Sequence, residues 1–282
     1  MSFWESSFLW LEAVIAACAV GAACAVVGVY MILRRVVFLP AALSQISGLG
    51  VVLAFLLPTW LASLQGSLLL SAEVLAAVVT LVASLALGWM PEPRRLSRDA
   101  VLGVAYVVAS ALILIIADRI PQDSHDIKDI LFGNAVAVET HQMIVAVAVS
   151  ALVLSVHALL FRPFLFASFD PETAAAHRVP VRAVDAVLFL TVGLTIAEAT
   201  KTIGAMPVFA FAVIPAAAGL CLFTDTRLVF VAAALCGAAS AFLGYWISFV
   251  GSFPTGPCMA VVTSAFLVPA MLYSRIRRGR WC

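Results

Sequence analysis

Asp170, Pro171 and Glu172, with His177 and Arg178 two turns on, form the longest polar interruption in a sequence that is otherwise nearly all hydrocarbon. Each residue type suits a helix end. The Asp170 carboxylate can accept from first-turn amides. Pro171 loses nothing at the first helical position, and Glu172 favours the positive end of the dipole. His177 and Arg178 fall in the last turn, and Pro180 stops continuation. Two turns of helix are unstable alone in water, so residues 164–182 read as a short amphipathic helix held against the membrane face or a partner. Its chemistry is docking: a handle by which a membrane protein is moved. The plainer alternative is a capped loop helix without a partner.

Other ionisable groups sit in apolar runs, where each is costly and therefore a candidate. Glu198 and Lys201 lie three apart near the end of one run. They can pair at helical spacing, or Glu198 can line a cavity exit and offer a hard oxygen to a cation. Glu73 and His157 read as interfacial. Ser44 and Gln45, one turn after Pro40, either line a cavity or hydrogen-bond between helices. Asp123, His125 and Asp126 have ligand types suited to a divalent ion, yet their spacing matches no closed site; with Asp118 and Asp129 they form an acidic loop able to concentrate cations. The six cysteines, including Cys18, Cys24 and Cys221, form no CxxC pair and read as small core residues. Cys258 and Met259 read as packing.

The elements that must position these groups are membrane spans. The chain has 282 residues, 64% hydrophobic and 11% charged, far below the roughly 25% charge of soluble domains. Runs of about 20 apolar residues fall near 8–33, 37–57, 68–89, 100–117, 136–160, 184–200, 206–223, 228–250 and 258–274. The expectation is an all-α polytopic membrane protein, one permease domain over 1–282, with nine spans, or eight if one is short or re-entrant. The first run follows Glu5 and precedes Arg34 and Arg35, the reverse of a cleavable leader, so it reads as a retained span. With nine spans, thirteen arginines share one side, among them Arg34, Arg98, Arg162, Arg178, Arg182, Arg227 and those of the 275–282 tail. Arg119, Lys128 and Lys201 are left on the other. The positive-inside rule then puts the amino terminus outside and the 164–182 helix in the cytoplasm. Small residues four apart (Ala17, Gly21, Ala25; Ala233, Gly237, Ala241) suit close helix packing in lipid. Pro40, Pro207 and Pro215 suggest bent or broken helices. Net charge of +1 without a basic patch argues against nucleic acid. No glycine-rich GxxxxGK loop is present, so this chain cannot hydrolyse ATP. No HExxH, Ser/His or paired-aspartate set within the spans supports an intramembrane enzyme.

Several stretches carry a family likeness: VYMILRRVVFL and AALSQ leading into the second run, DAVLGVAYVVASAL in the fourth, and Leu131-Phe132-Gly133. FDPETAAAHRVPVRAVD, IGAMPVFAFAVIPAAAGL and the PTGP turn continue it. Through these the chain resembles the permease subunits of metal-ion ABC importers along nearly its whole length. The resemblance implies transport of zinc, manganese or iron(II) as substrate, with no cofactor bound by this chain. It also implies a cytoplasmic ATPase on the Asp170–Arg178 coupling helix, an extracytoplasmic metal-binding protein, and a second permease copy, identical or different. It places the ion path along the second span, where the family carries glycine-aspartate-alanine-leucine-serine-histidine-alanine. Here those positions read Pro40, Ala41, Ala42, Leu43, Ser44, Gln45 and Ile46, so the expected carboxylate and imidazole are replaced. A neutral amide is a poor transition-metal ligand. This departure leaves room for a non-metal substrate or a transport-impaired partner permease.

Overall fold

The computed structural model describes residues 7–60, 71–90, 96–118 and 138–278. Among them the chain is helical, without a strand: α1 (Ser7–Leu33), α2 (Leu39–Trp60), α3 (Ala72–Gly88), α4 (Arg98–Ala117), α5 (Thr140–Leu159), α6 (Phe161–Phe169), α7 (Pro171–Ala176), α8 (Val181–Ile203), α9 (Ala205–Leu222), α10 (Thr226–Gly251) and α11 (Thr255–Arg278). The entries to several helices follow capping chemistry. Ser71, Ser97, Asp170 and Asp225 each accept from a first-turn amide of α3, α4, α7 and α10.

Eight of these helices are long and apolar enough to cross a membrane, and α3 is a shorter apolar helix. At 17 residues, α3 rises about 26 Å, just under the ~30 Å hydrocarbon thickness. Its two ends nevertheless lie at opposite ends of the bundle. Glu73, in its first turn, pairs with Lys201 in the last turn of α8. Just beyond its other end, the Met90 carbonyl accepts from Arg98 at the start of α4. So α3 runs the length of the bundle beside the eight long helices found among the described residues; it is the short run in the expectation of nine spans, or eight if one is short.

The helix α1 is the axle. It is apolar all round, as a helix surrounded by other helices must be, and it packs against α10, α9, α5 and α8. Hydrocarbon burial drives nothing inside lipid, so this packing rests on close backbone approach. Gly21 and Gly237 provide it where α1 crosses α10: a Cβ on Gly237 would stand 2.4 Å from the Gly21 carbonyl oxygen. The helices α2, α8 and α9 complete the buried centre, while α4, α5 and α11 remain largely exposed at the periphery.

Two local expectations change. Pro40 and Pro207 stand in the first turns of α2 and α9 and start helices instead of breaking them; Pro215 lies within α9. The sharp corner lies at Gly204, whose φ of 87° and ψ of 160° belong to glycine and join α8 directly to α9. Cys18, Cys24, Cys236 and Cys258 are free thiols; Cys221 is buried in a core cluster as expected, but is disulfide-bonded where no disulfide was expected.

Candidate translocation path and coupling segment

The short helix is built as its residues dictate. Asp170 Oδ1 accepts from the Thr173 N–H at 3.0 Å, and its Oδ2 from the Thr173 hydroxyl at 2.5 Å. Those two hydrogen bonds, the hydroxyl first, hold the Asp170 carboxyl below the usual carboxylate range. Pro171 is at the first helical position and Glu172 in the first turn. The exit is a Schellman motif: Val179 N–H donates to the Ala174 carbonyl and Arg178 N–H to the Ala175 carbonyl. Arg178 occupies the left-handed position, φ 61°, that glycine normally fills. His177 Nδ1 lies 2.9 Å from the Thr173 carbonyl oxygen, and its ring stands edge-on to Phe166. Only Ala174 is buried; Pro171, Glu172, His177 and Arg178 are all exposed. The helix thus offers almost its whole surface outward.

What it rests on is a junction absent from the sequence reading. Arg34, at the end of α1, reaches Asp185 in α8 at 2.7 Å and donates through Nε to the Ser168 hydroxyl of α6 at 2.9 Å. Its guanidinium also lies over the Phe189 ring at 5.6 Å. The Arg34 side chain is 10% exposed and Asp185 24%. The elements before and after α7 are therefore both fastened to α1. A lone carboxylate one turn into an apolar span, inside the FDPETAAAHRVPVRAVD stretch, was the available signal; Arg34 had counted only as an orientation charge.

At mid-bundle, Ser44 and Gln45 line a cavity of about 510 Å³ between α2, α4 and the start of α9. The other polar groups on its wall are Tyr106 and Ser110. The Ser44 hydroxyl donates to the Ala41 carbonyl at 2.9 Å and that of Ser110 to Tyr106 at 2.8 Å. Its wall contains no carboxylate, imidazole or thiol. Leu114 and Met206 on its rim are largely exposed, so the cavity opens sideways from the bundle.

Glu198 lies in a different cavity, of about 290 Å³, with Ser47, Glu73, Gln142 and Lys201. The expected Glu198–Lys201 pair is not made. Lys201 Nζ sits 3.1 Å from Glu73 instead, and Glu198 Oε1 is buried without a hydrogen-bond partner. Helical spacing allowed the local pair, but the packing of α3 on α8 offers Lys201 a better-placed carboxylate. His157, read as interfacial, is 2% exposed and packed between Tyr30 and Phe164. Asp123, His125 and Asp126 lie outside the described residues. Among the described residues no group of three or more His, Cys, Asp or Glu side chains could hold a metal ion.

Comparison with known proteins agrees with this architecture. The manganese transport system membrane protein MntC of Halalkalibacterium halodurans is 28% identical over 263 residues, covering 93% of this chain and 86% of that protein. The chelated iron transport system membrane protein YfeD of Yersinia pestis is 27% identical, covering 94% and 86%. Among solved structures, PsaBC from Streptococcus pneumoniae in complex with Fab superposes with a TM-score of 0.79 at 24% identity, covering 93% of this chain and 91% of that one, which speaks to the fold. The model of the ABC 3 transport family matches residues 7–274. Spanning nearly all of the described bundle, that match means that the chain belongs to the ABC 3 transport family, as a membrane permease and not an enzyme.

Proposed function

We propose that this chain is the membrane half of an importer for a divalent metal ion, manganese, iron or zinc, driven by a separate cytoplasmic ATPase. The observation that carries the reading is the exposed α7 helix, whose flanks are fastened to the central helix through Arg34. A six-residue helix with one buried residue is built to be gripped. Asp170 and Pro171 shape it, and Glu172, His177 and Arg178 are the contact groups. The pull passes through Ser168 and Asp185 to α1 and α8, rocking the helices around the midline cavities in alternating access. Relatives named for manganese and chelated iron transport support the substrate class. The basic end of the bundle faces the cytoplasm of a bacterial inner membrane, with the amino terminus outside. An extracytoplasmic metal-binding protein delivers the ion to the acidic outer loop of Asp123, His125 and Asp126. A second permease copy, identical or different, closes the sideways-open cavity over Ser44 and Gln45, while Glu198 contributes to the exit.

A second reading follows from that cavity. Its neutral lining suits a substrate without a bare transition metal, either a non-metal solute or an ion carried inside a chelate. Both readings are separated by measuring cell-associated manganese, iron and zinc with the gene intact, deleted, or carrying E172A/R178A. Accumulation of one metal that disappears in the deletion and in the variant supports the first reading. Unchanged metal content in all three strains overturns it. Gain of manganese accumulation in an A41D/Q45H variant of a metal-inactive parent would favour the second.

A further inference from the structure

A cavity of about 600 Å³ opens at the basic end of the bundle between α1, α5 and α10. It belongs neither to the Gln45 wall nor to the coupling junction. Its mouth carries Arg162 and Arg227, both exposed, and neither makes an ion pair with any described carboxylate. The Asp225 carboxylate near this mouth accepts from the Arg227 backbone N–H. Its inner wall carries Tyr30, fully buried, and His157, 2% exposed. The Tyr30 hydroxyl and His157 Nε2 have no hydrogen-bond partner. His157 Nδ1 lies 2.9 Å from the Val153 carbonyl oxygen. Since a carbonyl only accepts, Nδ1 bears the proton and Nε2 is left as an acceptor. The remaining wall is hydrocarbon, and on the open side Leu159 and Val231 are 82% and 56% exposed.

We infer that this cavity binds an anionic phospholipid, with its phosphate between Arg162 and Arg227 and its glycerol portion at Tyr30 and His157. A free anion would meet the arginines but leave the apolar wall wet. An alkane would leave two cations and two buried polar atoms unanswered. A lipid fills both halves: the phosphate takes the arginine forks, an ester carbonyl takes the Tyr30 proton, a headgroup hydroxyl donates to His157, and an acyl chain runs out over Val231 and Leu159. Clustered basic groups at one membrane face are the expected electrostatic partners of such headgroups.

The test is native mass spectrometry of the full-length chain in detergent, titrated with phosphatidylglycerol or phosphatidylcholine of matched chains. Phosphatidylglycerol adducts should dominate. The R162A/R227A variant should weaken them about 25-fold, roughly fivefold per arginine, without altering phosphatidylcholine binding. Y30F, which removes one hydroxyl and no packing, should weaken phosphatidylglycerol severalfold at unchanged melting temperature. R182A, an exposed arginine outside the cavity, should change neither lipid. Equal binding of the two lipids overturns the assignment. So does parental affinity in R162A/R227A or in Y30F. Full displacement of phosphatidylglycerol by inorganic phosphate would assign the site to a free anion and overturn it as well.

Discussion

The residue that separates shape from contact in α7, the helix proposed to couple to the ATPase, is Arg178. It holds a left-handed backbone at a position glycine prefers, which costs a non-glycine residue about 1–2 kcal/mol. A residue kept against that preference points to a need for its side chain. R178G should therefore match or exceed the parent in melting temperature while uncoupling ATP hydrolysis from uptake, and R178A should uncouple without the gain. Full uptake per ATP in R178G would remove the contact role. Asp170 sets the acid limit. Its folded-state pKa is lowered, so the stability it contributes is complete above its unfolded value, near ~3.9, and is lost as pH falls through the folded value. Coupling should stay flat from about pH 5 to 8 and weaken below about pH 4. T173A should move that acid limb upward. At this scale the sequence was legible where chemistry is local. Asp170, Pro171 and the Pro180 stop follow from residue type alone. The left-handed Arg178, the Lys201–Glu73 pair and buried His157 depend on which helix lies alongside, and spacing along one helix carries no such information.

Among the elements, the crossing of α1 and α10 makes a clear demand. Gly21 and Gly237 bring two backbones together where no Cβ fits. G237A should destabilise the detergent-solubilised protein by about 1–3 kcal/mol, since the obstacle is backbone and not a side chain that can turn away. Gly103, on the exposed face of α4, is the internal control: an added Cβ there meets nothing within 4 Å. G103A should be neutral or stabilising by up to about 1 kcal/mol. Thermal melting of both variants checks the pair, and equal behaviour would show that close approach is not what holds α1 to α10. The small-residue spacing was readable beforehand, because in lipid such spacing has few uses besides packing. Pro40 and Pro207 were misread, because a proline in a first turn and one in mid-helix look alike until the helix start is known. Likewise the Gly204 corner lies between two runs that hydropathy alone already separates, so nothing marked it as the sharper break.

For the whole molecule, the proposed mechanism requires that motion at α7 reach the cavity lined by Ser44 and Gln45. Pulling a short exposed helix does nothing unless its flanks are tied to the centre, and the Arg34 junction ties both. The pair is not fully buried, with Asp185 keeping 24% of its side-chain surface. Breaking it should thus cost less than the ~3–5 kcal/mol of a wholly buried ion pair. D185N is therefore expected to insert and fold, with a modestly lowered melting temperature. What it should lose is transmission: hydrolysis by the partner ATPase persists while metal uptake per ATP falls severalfold. R34M/D185L removes both charges and leaves no orphan, so its stability should recover toward the parent. Its uptake should not recover, because an apolar contact provides neither the hydrogen bond to Ser168 nor a fixed direction of pull. Measuring uptake and hydrolysis together in reconstituted vesicles distinguishes the cases. If D185N keeps the parental ratio, the junction is a structural clamp alone, and the force must enter the bundle through the direct packing of α6 on α8.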